Sequence, residues 1–175
     1  MIIIREMDAQ EGKKISEIDR SEFIHHIYVD KQGELQKIDN PHECPTWDGE
    51  SMEYLIKRFT AELEQGGKGF GAFDGERLVG FGVLGHRERG LLKDHLQVDL
   101  MYVSRNYRRQ GIGTLLMKEL SEEARDRGAS YLYISSTETE SAVSFYTSNG
   151  GLLTEDKDPD LFELEPKDIH MVIKL

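Results

Sequence analysis

The residues with the clearest chemical potential form one run, Arg108-Arg109-Gln110-Gly111-Ile112-Gly113-Thr114. Two cations precede two glycines, and an apolar pattern of helical period starts there. The first turn of a helix leaves backbone N–H groups without intrahelical partners, and the macrodipole adds positive charge at the same place. Glycines at 111 and 113 carry no Cβ to hold a ligand off those donors. With Arg108 and Arg109 beside it, such a turn suits a phosphate or pyrophosphate.

Other readings of the run exist. The plainest is a helix start with two glycines and no ligand. The dinucleotide fingerprint does not apply, because Leu116 stands where its third glycine belongs. A P-loop does not apply either, since no Gly-Lys-Ser/Thr follows at the required spacing.

The elements around the run read as follows. Residues 1–7 suit a strand, and Asp8 with Glu11 three places on predicts a capping box opening a helix to about Ile18. Phe23 to Val29 and Glu34 to Ile38 read as two strands about an Asp30-Lys31-Gln32-Gly33 turn. Asn40 to Gly49, with two prolines, reads as loop. Met52, Leu55, Ile56, Phe59 and Leu63 share one face of a helix over Glu50 to Gln65. Gly69 to Phe73 and Arg77 to Leu84 form a hairpin about Asp74-Gly75, His86 to Asp94 a loop, and His95 to Val103 a strand. The helix from Gly111 turns Ile112, Leu115, Leu116, Leu120 and Ala124 inward and closes at Arg127-Gly128. Ala129 to Ser135 is a strand, Ser141 to Ser148 a short helix, and Leu152-Leu153 and Ile169 to Leu175 the closing strands. The expected class is α/β (α+β), with a mixed, mostly antiparallel sheet and helices on both faces, in one domain over 1–175.

Composition narrows the partners. A formal charge of −11 argues against nucleic acid or an anionic membrane as the main partner and permits a cationic one such as an amine. No apolar run approaches the roughly twenty residues of a membrane span. Cys44 is the only cysteine, which excludes an internal disulfide and suits a reducing cytoplasm. His42-Glu43-Cys44 lacks a second ligand pair at suitable spacing, so no metal is expected.

With its strand before, its helix after and a later Phe-Tyr helix, Arg108-Arg109-Gln110-Gly111-Ile112-Gly113 resembles the Arg/Gln-x-x-Gly-x-Gly/Ala signature of the GNAT superfamily of acyl-CoA N-acyltransferases. The element order matches that fold over nearly the whole chain. An excursion at about 23–48 departs from it, in the region that shapes the acceptor pocket in the family. The resemblance implies acetyl-CoA as acyl donor. Its pyrophosphate would lie on the Gln110 to Thr114 amides, including those of Gly111, Ile112 and Gly113. The pantetheine arm would run along main-chain groups of Met101 and Val103, beside a bulge near Tyr102-Val103, and the Val103 N–H would polarise the thioester carbonyl. An asparagine common ahead of the Phe-Tyr helix is replaced here by Thr139, with Ser141 nearby.

The implied reaction is direct attack of an amine on the thioester. An alkylamine of pKa near 10.4 is only roughly one part in 10³ neutral at pH 7, so a proton acceptor is needed, and the departing thiolate needs a donor. Tyr146, in Ala142-Val143-Ser144-Phe145-Tyr146, matches the family's donor. The family's strand glutamate falls at Gln97, which cannot serve as base. Asp99, two residues on and on the same face, is the expected base; a water chain with Glu22 or His26 is the alternative. Glu22, His26 and Tyr28 of the excursion are expected to meet the acceptor. The resemblance thus implies a cytoplasmic N-acetyltransferase acting on a small-molecule or protein amine. A module of the same fold that binds CoA without turnover is the other reading. Dimerisation is common in the family, and no interface is legible in these residues.

Overall fold

The computed structural model describes every residue from Met1 to Leu175. Strand β1 (Ile2–Met7) leads into a 3-10 helix at Ala9–Glu17, tighter than the α-helix the sequence suggests. The capping box forms there: the Glu11 amide donates to the Asp8 carboxylate, and the Asp8 amide to that of Glu11. Next come β2 (Glu22–Lys31), β3 (Glu34–Cys44) and helix α1 (Gly49–Glu64). Strands β4 (Lys68–Asp74), β5 (Arg77–Arg89) and β6 (His95–Val103) precede helix α2 (Ile112–Asp126). The chain ends with β7 (Tyr131–Ser136), α3 (Glu140–Ser148), β8 (Leu152–Leu153), α4 (Pro159–Leu164) and β9 (Ile169–Lys174).

Two stretches expected as loop are strand. β3 runs on to Cys44 because the pairing shifts between Ile24 and His26, leaving Asn40 and Pro41 in an irregularity where a proline's missing N–H costs nothing. β5 continues through His86 to Arg89, where Glu88 and Arg89 pair with Leu96 and His95. Both are polar, exposed strand ends without the alternation that betrays a buried strand. The acidic segment before β9 also holds a helix, α4, with Asp158 as N-cap and Pro159 in its first turn.

Seven strands form one sheet in the order β1-β4-β5-β6-β7-β9-β8, antiparallel except for β6 and β7. A parallel pair needs a crossover, and α2 supplies it. Helices cover both faces. One core gathers Leu116, Leu120 and Ala124 of α2 against Val79, Val98, Leu132 and Ile134. The other gathers Leu55 and Phe59 of α1, with Ile15 and Ile18, against Phe73, Phe81, Val83 and Leu100. Hairpin β2–β3 forms its own two-stranded sheet. No helix is long and apolar enough to cross a membrane.

Phe59 is fully buried and meets Phe81 edge-on with ring centroids 6.0 Å apart. Phe59→Ala is expected to cost about 3–5 kcal/mol of unfolding free energy in a urea titration. A loss below about 1 kcal/mol would contradict this account of the second core.

Candidate functional site

β6 and β7 pair only over His95–Gln97 and Tyr131–Tyr133, and then part. β7 turns to β9 for its remaining bonds, while β6 keeps only β5. The Ser104 amide donates to the Val79 carbonyl. Since antiparallel bonding alternates, the main-chain groups of Tyr102 face β5 and those of Met101 and Val103 face the gap. These are the two residues the sequence assigned to the pantetheine arm. The bulge, however, lies at Asp99, where the register jumps from Val83–Leu100 to Leu84–Val98, and not near Tyr102-Val103.

The glycine turn sits at the end of this open edge. Helix α2 starts at Gly111, whose φ of 82° is left-handed, and no side chain caps it. Arg109 also has a positive φ, 62°. Apart from Leu115, whose N–H returns to the Gly111 carbonyl, the helix start has free donors: the amides of Arg109 to Thr114 meet no acceptor. The two glycines serve different ends. A Cβ at Gly111 would meet nothing within 4 Å, so glycine is needed there for backbone conformation. A Cβ at Gly113 would lie 2.6 Å from Cε1 of Phe145. Its absence lets α3 close on α2, rather than admitting a ligand.

Arg108 is a correction to the sequence reading. Its guanidinium turns inward, with Nε 2.9 Å from the Val103 carbonyl, Nη1 2.9 Å from that of Ser21 and Nη2 3.4 Å from that of Asp19. Burial lowers its pKa, and Glu22 lies 3.9 Å away. Arg108 ties the end of β6 to the start of β2, while Arg109 is exposed and unpaired. Gln110 and Thr114 are exposed at the same turn.

Tyr146 stands on α3, packed against the main core with its ring 5.1 Å from that of Phe145. Burial pushes its phenol above the ordinary value near 10, and the charges of Tyr102 and Asp168 add to the shift. The residue is half-buried, and no protein group bonds its hydroxyl. Thr139 does not offer its hydroxyl freely: it is the N-cap of α3, accepting the Ala142 amide at 3.4 Å, with Ser141 Oγ at 3.5 Å.

Asp99, the expected base, is paired. Arg58 of α1 donates to its Oδ1 at 2.8 Å and to its carbonyl at 3.2 Å. Asp99 is thereby held against a cation of α1, while its Oδ2 is buried without a partner. Tyr102, stacked on Phe81 and edge-on to Trp47, walls the cleft beside it.

The excursion spans the mouth of the gap. On one side the Tyr28 amide donates to the Glu138 carbonyl at 2.7 Å, and Ile27 bridges to Thr139. On the other, Arg108 holds Ser21 and Arg105 holds Glu43 at 3.1 Å. His26 contacts Asp39 at 2.9 Å and Glu140 at 2.7 Å through its two ring nitrogens, so it secures the hairpin. Glu22 faces Arg108, and Tyr28 packs on the main core.

Sequence reasoning missed Asp168, immediately before β9. It is half-buried, its Oδ2 accepts from Ser135 Oγ at 2.8 Å, and no cation pairs with it. Burial raises its pKa to about 6; the Ser135 bond opposes this, and Glu165 and Glu138 reinforce it. The only signal in the sequence was a carboxylate directly ahead of an apolar strand.

A sequence model of the acetyltransferase (GNAT) family matches residues 22–150. Among curated proteins, no sequence matches. Solved structures share the fold at low identity. Nourseothricin acetyltransferase superposes with a TM-score of 0.72 at 19% identity over 99% of this chain and 98% of that one. A Bacillus anthracis protein assigned as a streptothricin acetyltransferase, solved with acetyl coenzyme A, gives 0.73 at 16% over 100% and 99%. The PaiA N-acetyltransferase of Thermoplasma acidophilum, solved with coenzyme A, gives 0.65 at 18% over 100% and 99%.

The two glycines are expected to fail differently. Gly111→Ala should weaken CoA binding several-fold by calorimetry through backbone strain at positive φ, with Gly111→Asn milder. Gly113→Ala should cost about 1–3 kcal/mol of stability by overpacking against Phe145. Equal effects of both on CoA affinity would refute the division of roles.

Proposed function

This chain belongs to the acetyltransferase (GNAT) family, and from that premise we propose that it moves the acetyl group of acetyl-CoA onto a primary amine. The observation that carries the reading is the row of unpartnered amides from Arg109 to Thr114 at the end of an open strand edge. A diphosphate needs such donors, and an arm with amide groups pairs with a strand edge as another strand would. Gly111, Ile112 and Gly113 supply amides at the turn, and Arg109 supplies charge. Met101 and the N–H of Val103 supply the edge.

The thioester would then sit in the gap, with the Val103 N–H directed at its carbonyl oxygen, where negative charge grows as the amine attacks. Tyr146 of α3 has a free hydroxyl and a phenol that keeps its proton throughout the physiological range. In this reading it donates to the departing sulfur. The amine enters beneath the β2–β3 hairpin, past Tyr102 and Trp47.

A cationic acceptor fits best. The chain carries −11 overall, and the unpaired carboxylates of Asp168 and Glu138 stand on the β7 side of the gap. Two of the solved structures that share the fold are named for acetylating nourseothricin or streptothricin. The lone Cys44 fits work in a reducing cytoplasm.

Tyr146→Phe is expected to lower kcat by about tenfold or more while acetyl-CoA affinity stays unchanged, as measured by thiol release and calorimetry. Turnover equal to wild type would remove Tyr146 from the reaction. CoA binding without acetyl transfer to any amine would favour the silent binding module instead.

A further inference from the structure

We propose that Asp168, and not the strand carboxylate Asp99, takes the proton from the attacking amine. The inference rests on the acetyltransferase reading above and assigns its missing base.

The argument is positional. Ser135, which donates to Asp168, lies on β7 two residues past Tyr133, the last position paired with β6. By the strand's period of two it shares a face with Tyr133 and stands where the strands have parted. Asp168 is therefore held at the gap from the β7 side, opposite the edge of Met101 and Val103. Tyr146 stands on α3, which begins four residues after this end of β7. The two carboxylates differ in their neighbours. Asp99 has Arg58 at 2.8 Å, whereas Asp168 has the Ser135 hydroxyl at 2.8 Å and the carboxylates of Glu138 on the β7–α3 connection and Glu165 at the end of α4. Desolvation and like charges keep its proton affinity high enough to accept a proton near neutral pH, and it is still largely ionised there.

The proton balance closes within the site. A neutral amine attacks the carbonyl carbon; the N–C bond forms and the nitrogen becomes cationic and acidic. Asp168 takes one proton from it. The C–S bond breaks, and Tyr146 donates its proton to the departing sulfur. A phenol above its ordinary value is a weaker acid than a thiol near 8.5, so that donation is uphill unless the phenolate is refilled. Protonated Asp168 refills it. The amine's proton ends on the CoA thiol, and both side chains return to their starting states.

The test is the pH dependence of kcat/KM with nourseothricin, spermidine and an alanine-first peptide as probe acceptors. Wild type should lose rate below an apparent pKa near 6. Asp168→Asn should drop about 100-fold or more and lose that dependence, with calorimetric CoA affinity unchanged. Ser135→Ala removes a bond that favours the carboxylate, so the transition should move to higher pH. This second variant decides the matter if Asp168→Asn does not fold. An Asp168→Asn enzyme with wild-type rate and pH profile, or an unmoved transition in Ser135→Ala, overturns the assignment while leaving the acetyltransferase reading intact. A wild-type protein that binds acetyl-CoA but acetylates none of the three probes removes the support for both.

Discussion

The parting of β6 from β7 is the constraint on which the rest of this structure depends. A strand in the middle of a sheet normally spends its main-chain groups on two neighbours, and leaving them unspent inside a protein is costly. Here β6 has its second neighbour for only three residues. Beyond Gln97 its free edge must be kept from collapsing, and two devices do this. Arg108 takes the Val103 carbonyl and anchors itself on Ser21 and Asp19. Hairpin β2–β3 then bridges the gap from Glu138 on one side to Arg105 and Arg108 on the other. The groups left over are those an extended amide-bearing ligand would take.

The amide turn and the tyrosine are mechanically coupled. The Phe145 ring lies where Gly113 has no Cβ, so the start of α2 and the middle of α3 touch at one point. Tyr146 is the next residue, with its ring 5.1 Å from that of Phe145. Interiors transmit displacement because they are close-packed. The spacing between the start of α2 and α3 is therefore set by one glycine–aromatic contact.

Local rules made much of this legible. The capping box at Asp8, the Asp74-Gly75 hairpin, the α1 face and the α2 stop at Gly128 each follow from chemistry within a few residues, and each formed. The main-chain direction of Met101 and Val103 also agreed, because strand alternation is rigid. What failed required partners far along the chain. Arg108 reads as an anion binder until Ser21 and Asp19, nearly ninety residues away, are seen to hold it. Asp99 reads as a base until Arg58 is placed beside it, and Asp168 reads as the tail of an acidic spacer until Ser135 is found bonded to it. Charge pairing across the fold leaves no periodic trace in a sequence.

Hairpin β2–β3 is held mainly through its backbone and two packed side chains. Its ion pairs, Lys37–Glu140 and His26–Glu140, are partly exposed, and such pairs contribute little each. The hold comes instead from the Tyr28 backbone bond to Glu138 and from Tyr28 and Leu35 packed on the main core. Backbone bonds are indifferent to most side chains. Residues elsewhere on the hairpin can therefore change without loosening it, while they alter what the gap admits. A cover fixed by its backbone and variable in its side chains suits a family that keeps one acyl donor and changes its acceptor.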